Sequence, residues 1–150
     1  MPQSQTVFLD EDGSLVITLG ANDVNGDALT FTIESGPARG TLSAIDPITR
    51  QVTFTPGANI RGNDSFTFRV SDGLASAVGT INLKVRPVND VPVANGTTYA
   101  SPEDTPLFGQ VTGSDVETPA ELTFSLVSGP ASGVLTLNPD GTFRYDPAAD

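Results

Sequence analysis

Carboxylates are the only plentiful side chains of this 150-residue chain able to do chemistry: eighteen Asp and Glu stand against seven Lys and Arg, with no Cys and no His. The missing residues exclude Ser-His-Asp and Cys-His nucleophile systems, His-ligated zinc and haem ligation by His or Cys. Paired carboxylates can cleave glycosides, but sugar platforms are aromatic, and the chain has no Trp and only Tyr99 and Tyr145. A hydrolase is therefore not expected. A net charge of −11 repels nucleic-acid phosphates and anionic membrane surfaces. No apolar run approaches the roughly 18 residues that cross a bilayer, so membrane insertion is not expected either. Two readings of the acidity remain. Some carboxylates gather to hold a cation, or Asp and Asn serve loops as turn formers and solubilising charge.

Which reading holds depends on where the backbone carries the carboxylates. Hydrophobic residues make up 37% of the chain and charged ones only 17%, the remainder being rich in Thr, Ser, Asn and Gly, which favours strands and turns. The chain also repeats itself. Glu11 to Pro56 overlays Glu103 to Pro147: Glu11-Asp12 matches Glu103-Asp104, Asp23 matches Asp115, Leu29-Thr30-Phe31 matches Leu122-Thr123-Phe124, and Ser35-Gly36-Pro37-Ala38 recurs as Ser128-Gly129-Pro130-Ala131. Two domains follow, 1–88 and 89–150.

In the first copy apolar residues alternate with Thr, Arg, Asn and Lys at Leu15-Ile17-Leu19, Leu29-Phe31-Ile33, Val52-Phe54, Phe66-Phe68-Val70 and Ile81-Leu83-Val85. With Thr6 to Leu9 and Gly40 to Ala44 added, about seven strands predict a Greek-key β-sandwich. No segment carries a helical stripe. The second copy supplies Leu107–Val111, Leu122–Leu126, Val134–Leu137 and Phe143–Tyr145, and lacks the last two strands of the first. The fold class is thus all-β, two tandem sandwiches, the second truncated at its C-terminal side. Its open strand edge offers a route to homo-association by strand complementation.

Strand ends of a sandwich converge at two poles, and the carboxylates fall there. Asp23, Asn25, Asp27 and Asp72 collect at the outer pole of the first repeat. Glu11, Asp12 and Asp64 collect at the other, beside the linker Val88-Asn89-Asp90-Val91-Pro92. Asp115 and Glu117 open the facing end of the second repeat, and Glu103 and Asp104 mark its far pole.

The stretch Phe66 to Pro92, together with Glu-Asp near the start of each copy and Gly62-Asn63-Asp64-Ser65-Phe66, resembles the tandem cadherin-like and Ig-like repeats of large bacterial surface adhesins and secreted multidomain proteins. That resemblance spans nearly the whole chain. It implies Ca²⁺ at the joint between repeats, with Glu11, Asn89, Asp90, Asp115 and Glu117 as ligands, since Ca²⁺ takes six to eight oxygens from flexible loops. Asp12 and Asp64 join them at the junction, Asp23, Asn25, Asp27 and Asp72 form an outer group, and Glu103 a far one. Two departures stand out: Val88 leaves only Asn89-Asp90 in the linker, and Asn63-Asp64 stands where the family carries Asp-Arg-Glu. The expected role is an extracellular or cell-surface spacer and adhesion module, not an enzyme, whose partners are neighbouring repeats and a polysaccharide or cell-surface protein. A carbohydrate-binding module of a secreted polysaccharide-acting protein is the alternative, as is the self-associating repeat.

Overall fold

Alternating β-branched and aromatic residues produce strands and nothing else here. The computed structural model describes residues 1–119 and 121–149, and every regular element among them is a strand. The chain divides into two units, Met1–Val88 and Asn89–Asp150.

Unit 1 contains β1 (Gln5–Asp10), β2 (Leu15–Thr18), β3 (Thr30–Ser35), β4 (Gly40–Leu42), β5 (Gln51–Pro56), β6 (Gly62–Ser71) and β7 (Ser76–Arg86). One sheet has the order β1-β7-β6-β3 and the other β2-β5-β4, a Greek-key arrangement of two layers. β1 runs parallel to β7 from Gln5 opposite Ile81 to Asp10 opposite Arg86. β6 and β7 form a long hairpin, Gly62 opposite Val85 to Ser71 opposite Ser76. β3 pairs antiparallel with β6, with a bulge between Ile33 and Ser35.

The two sheets close on Leu9, Ile17, Leu19, Val52, Phe54, Phe66, Phe68, Val70, Ile81, Leu83 and Val85. These are the residues the alternation places inward. Burying each side chain of this size is worth roughly 1.5–3 kcal/mol, set against the entropy of ordering a short chain. Packing is tight at Gly79, which faces Phe68 across the hairpin. A Cβ there would lie 2.8 Å from the Phe68 ring and 2.9 Å from Pro2, so the absence of a side chain lets the Phe68 ring and Pro2 approach β7 closely.

Unit 2 contains β8 (Val93–Asn95), β9 (Leu107–Gln110), β10 (Thr112–Ser114), β11 (Val134–Leu137) and β12 (Thr142–Asp146). Its sheet β11-β12-β9 repeats β4-β5-β2 of unit 1: Leu107 faces Tyr145 as Leu15 faces Phe54. The match reaches single hydrogen bonds. Val111 N–H donates to Gly141 O as Leu19 N–H donates to Arg50 O, both at 2.9 Å. Asp12 and Asp104 share the left-handed conformation, with φ of 61° and 54°.

Two strands expected in unit 2 differ. Leu107–Val111 does not run as one strand: it changes partner at Val111, β9 pairing with β12 and β10 with β8. Leu122–Leu126, although it repeats β3, lies in no ladder. The cause is a missing partner. Among the described residues the only ladder partner of β3 is β6 and that of β1 is β7, and unit 2 has no counterpart of either. Residues 97–102, which repeat β1, likewise lie outside any strand.

Candidate cation-ligating poles

At one pole of unit 1 the chain leaves β1 beside the end of β7, where Glu11 N–H donates to Arg86 O at 2.9 Å. This contact carries the Glu11 side chain inward. Glu11 is 2% exposed, the one fully buried charged residue among the described residues. Its Oε1 accepts a hydrogen bond from Val88 N–H at 2.9 Å, while Oε2 is shielded from solvent and accepts none. A buried carboxylate oxygen without a donor is costly, on the order of 1–3 kcal/mol or more for a charged group, unless a cation completes its environment.

The neighbours predicted at this pole are engaged otherwise. Asp12 Oδ1 accepts from Asn59 N–H at 3.2 Å. Asp64 accepts Ala38 N–H at 3.0 Å and Ser65 N–H at 2.8 Å on Oδ1, and Arg39 N–H at 2.7 Å on Oδ2. Burial alone would raise the Asp64 carboxyl, but these three amides outweigh it and hold the group below its ordinary range. Asp64 therefore fastens the Pro37-Ala38-Arg39 turn.

In unit 2, Asp90, Asp115 and Glu117 form a connected set. Glu117 Oε2 accepts from Asp90 N–H at 2.9 Å, and Asp115 Oδ1 accepts from Glu117 N–H at 3.0 Å and Thr118 N–H at 2.6 Å. The Thr118 amide is the main cause that holds the Asp115 carboxyl low. Oδ2 of Asp90 and Oε1 of Glu117 are sealed from solvent. Asn89 folds back on its neighbour, its side-chain amide donating to Asp90 O at 2.8 Å.

The outer pole of unit 1 brings Asp23 and Asp72 to the lining of one cavity of about 140 Å³, with Leu29 and Val70. Each carboxylate closes a turn. Asp23 Oδ1 accepts from Asn25 and Asp27 N–H, and Asp72 Oδ1 from Leu74 and Ala75 N–H. The Ala75 and Leu74 amides keep Asp72 low. Asn25 and Asp27 are exposed and do not line the cavity. Glu103, the counterpart of Glu11, is exposed. Among the described residues no three Asp or Glu side chains assemble into a metal-holding group.

One participant was missed by reading side chains. The backbone N–H of Val88 holds Glu11, and any residue but Pro supplies that donor, so residue type gave no signal.

Two tandem β-repeats, the first a two-layer sandwich with Glu11, Asp12, Asp23 and Asp72 in the loops at its strand ends, define a chain of the cadherin-like and Ig-like class. A profile described as Bacterial Ig domain matches residues 1–84 and again 89–150, and the chain belongs to that family. Domains of this family are typically non-enzymatic. No curated protein matches the chain. Among solved structures it is similar to human Protocadherin-24 EC1-2, at 20% identity and a TM-score of 0.67 over 99% of this chain and 78% of that one. It is also similar to Drosophila N-cadherin EC1-4, at 14% identity and a TM-score of 0.57 over 99% of this chain and 41% of that one. An endo-fucoidan hydrolase from glycoside hydrolase family 107 aligns at 23% identity and a TM-score of 0.48, over 97% of this chain and 23% of that one. Among the described residues no helix is long and apolar enough to cross a membrane.

Proposed function

We propose that the chain is a pair of extracellular spacer and adhesion repeats, and that Ca²⁺ stiffens the joint at Val88-Asn89. The observation that carries this reading is the Glu11 carboxylate: buried, tied by one oxygen to the last residue of unit 1, its other oxygen without a donor. A hard cation is the partner such an oxygen favours. Glu11 would contribute from unit 1, and Asp90, Asp115 and Glu117 from unit 2, with Asn89 as a neutral oxygen. Bound Ca²⁺ would neutralise these carboxylates and fix the linker, so that a string of repeats resists bending. Chelation would leave the carboxylates to repel one another and the linker, residues 87–92, to hinge.

Thermal unfolding followed in excess Ca²⁺ and then in excess chelator tests the proposal. The midpoint should fall on chelation. An unmoved midpoint would reduce the acidic loops to turns.

A further inference from the structure

We infer that unit 1 holds a site for a sugar ring bearing a single carboxylate, a uronate unit on an otherwise neutral glycan, in the cavity between β3 and the β4–β5 turn, with Arg50 as the carboxylate anchor. The site gives a ligand to the adhesion role proposed above and rests on that reading for its setting alone. No residue of the joint takes part in the binding.

Residues 43–50 connect β4 to β5. The turn is closed by Asp46 N–H donating to Gln51 O and Arg50 N–H donating to Asp46 O, both at 2.8 Å. Hairpin turns of this length commonly place a left-handed residue just before the returning strand, and Arg50 has φ of 59°. Glycine adopts that conformation without strain, and unit 2 uses it. Gly141, with φ of 87°, accepts Val111 N–H where Arg50 accepts Leu19 N–H. Unit 1 thus keeps a strained side chain where its repeat has none. Strain of this kind persists where the surroundings use the side chain.

The Arg50 guanidinium carbon lies 5.2 Å from the centre of the Phe31 ring, within cation–π reach, and Phe31 is backed by the buried Phe68 ring at 6.3 Å. Arg69, Arg86 and Arg144 each close on a carboxylate, those of Glu34, Asp10 and Asp146. Among the described residues Arg50 enters no salt bridge, so its planar fork of N–H donors is available to an outside oxyanion. With Leu29, Phe31, Ile45, Asp46 and Pro47 it lines a cavity of about 270 Å³. That is just under the roughly 300 Å³ at which pockets for drug-sized ligands begin, a size suited to one ring. The counterpart cavity of unit 2, beside Leu122, Phe124 and Asp140, has no Lys or Arg in its lining among the described residues.

Asp46 selects the class of ligand. Its Oδ1 accepts from Ile48 N–H at 2.8 Å and from Thr49 N–H at 2.9 Å, and the Thr49 and Ile48 amides hold its carboxyl below the ordinary range. A carboxylate has roughly four lone-pair sites, so this ionised group still accepts from a ligand hydroxyl. A uronate serves both charges of the cavity: its carboxylate meets Arg50, its ring hydroxyls donate to Asp46, and its C–H face lies on Leu29 and Pro47. An acidic peptide side chain brings no donor for Asp46 and meets its repulsion. The net charge of −11 also opposes a densely charged polymer, which leaves a lone carboxylate on a neutral chain.

The test titrates the full chain, in excess chelator, with xylotriose bearing one glucuronate and follows amide chemical shifts. Shifts should centre on Leu29–Phe31 and Ile45–Gln51 and spare Leu122–Phe124. The methyl ester of the same sugar, and cyclohexanecarboxylate, which has the charge and the ring but no hydroxyls, should each bind about tenfold more weakly or worse, and oligogalacturonate should bind more weakly than the single uronate. Arg50→Gly should lose about tenfold or more in affinity while unfolding at a midpoint no lower than wild type, since it removes the left-handed strain. A lowered midpoint with unchanged affinity would make Arg50 a packing residue and overturn the inference. So would absent shifts, equal binding of the methyl ester in the wild-type chain, or tighter binding of a glutamate tripeptide, which would place a protein partner there. Because chelator is present throughout, these shifts are independent of the calcium-dependent midpoint: either result can fail while the other stands.

Discussion

Replacing Glu11 by Gln probes the joint in a way that inverts with calcium. The carboxamide oxygen can still accept from Val88 N–H, the bond measured at 2.9 Å, but the second position becomes an NH₂ group that repels a cation. In wild-type protein, Ca²⁺ at 100 times its dissociation constant adds about 2.7 kcal/mol to the folded state. Spread over a domain of this size, that corresponds to a rise in midpoint on the order of 10–20 °C. With chelator present the balance changes. The wild-type carboxylate then buries a charge whose Oε2 has no donor, whereas the neutral amide is cheaper to desolvate and gives up only the charge-assisted part of one hydrogen bond, about 1 kcal/mol. Glu11→Gln should therefore match wild type to within about 1 kcal/mol in chelator and fall well below it in calcium. Glu103→Gln, at the exposed counterpart, should track wild type in both. Calorimetric scans of the three proteins in 10 mM Ca²⁺ and in 10 mM chelator decide the matter. A calcium shift that survives intact in Glu11→Gln would refute the role given to this carboxylate.

Acid should weaken unit 1 through Asp64. Its folded carboxyl lies below the ordinary range, so its stabilisation is complete above the unfolded value of about 3.9 and is lost as pH falls through that value toward the lower folded one. Asp64→Asn, unable to accept from both Ala38 and Arg39 N–H with equal strength, should cost about 1–3 kcal/mol at pH 7 and show a flatter loss between pH 5 and 2 in urea titrations. Gly79→Ala forces a Cβ against Phe68 and Pro2 and should lower unit 1 stability by about 1–3 kcal/mol, seen as a reduced urea midpoint with an unchanged slope. A Gly109→Ala control would crowd the Phe143 and Tyr99 rings and act on unit 2 instead.

Much of unit 1 was legible because period-two alternation identifies the inward face of a strand directly, and Phe66-Phe68-Val70 and Ile81-Leu83-Val85 left no competing reading. Alternation does not identify a partner. Leu122-Thr123-Phe124 reads like Leu29-Thr30-Phe31, yet a ladder needs a second strand distant in sequence, and only Leu29-Thr30-Phe31 lies beside one. The poles were legible as regions but not as chemistry. Asp23 and Asp72 lie in the loops after β2 and β6 and Asp64 within β6, but whether a carboxylate faces a cation or a row of amides depends on local turn geometry that spacing does not encode. Glu11 is the reverse case: the Glu-Asp pair that drew attention to it occurs in both repeats, and only the backbone beside β7 distinguishes the buried Glu11 from the exposed Glu103.

The parallel pairing of β1 with β7 has a mechanical consequence. A load pulling on Met1 at one end and on Val88 at the other draws β1 backward and β7 forward along the same line, because the two strands point the same way. The hydrogen bonds between Gln5–Asp10 and Ile81–Arg86 are then strained together in shear, and none can part before its neighbours. Antiparallel terminal strands pulled at a common end would instead peel apart one bond at a time. A surface appendage built from such units would yield abruptly at a high rupture force, and single-molecule stretching would record it as one sharp peak.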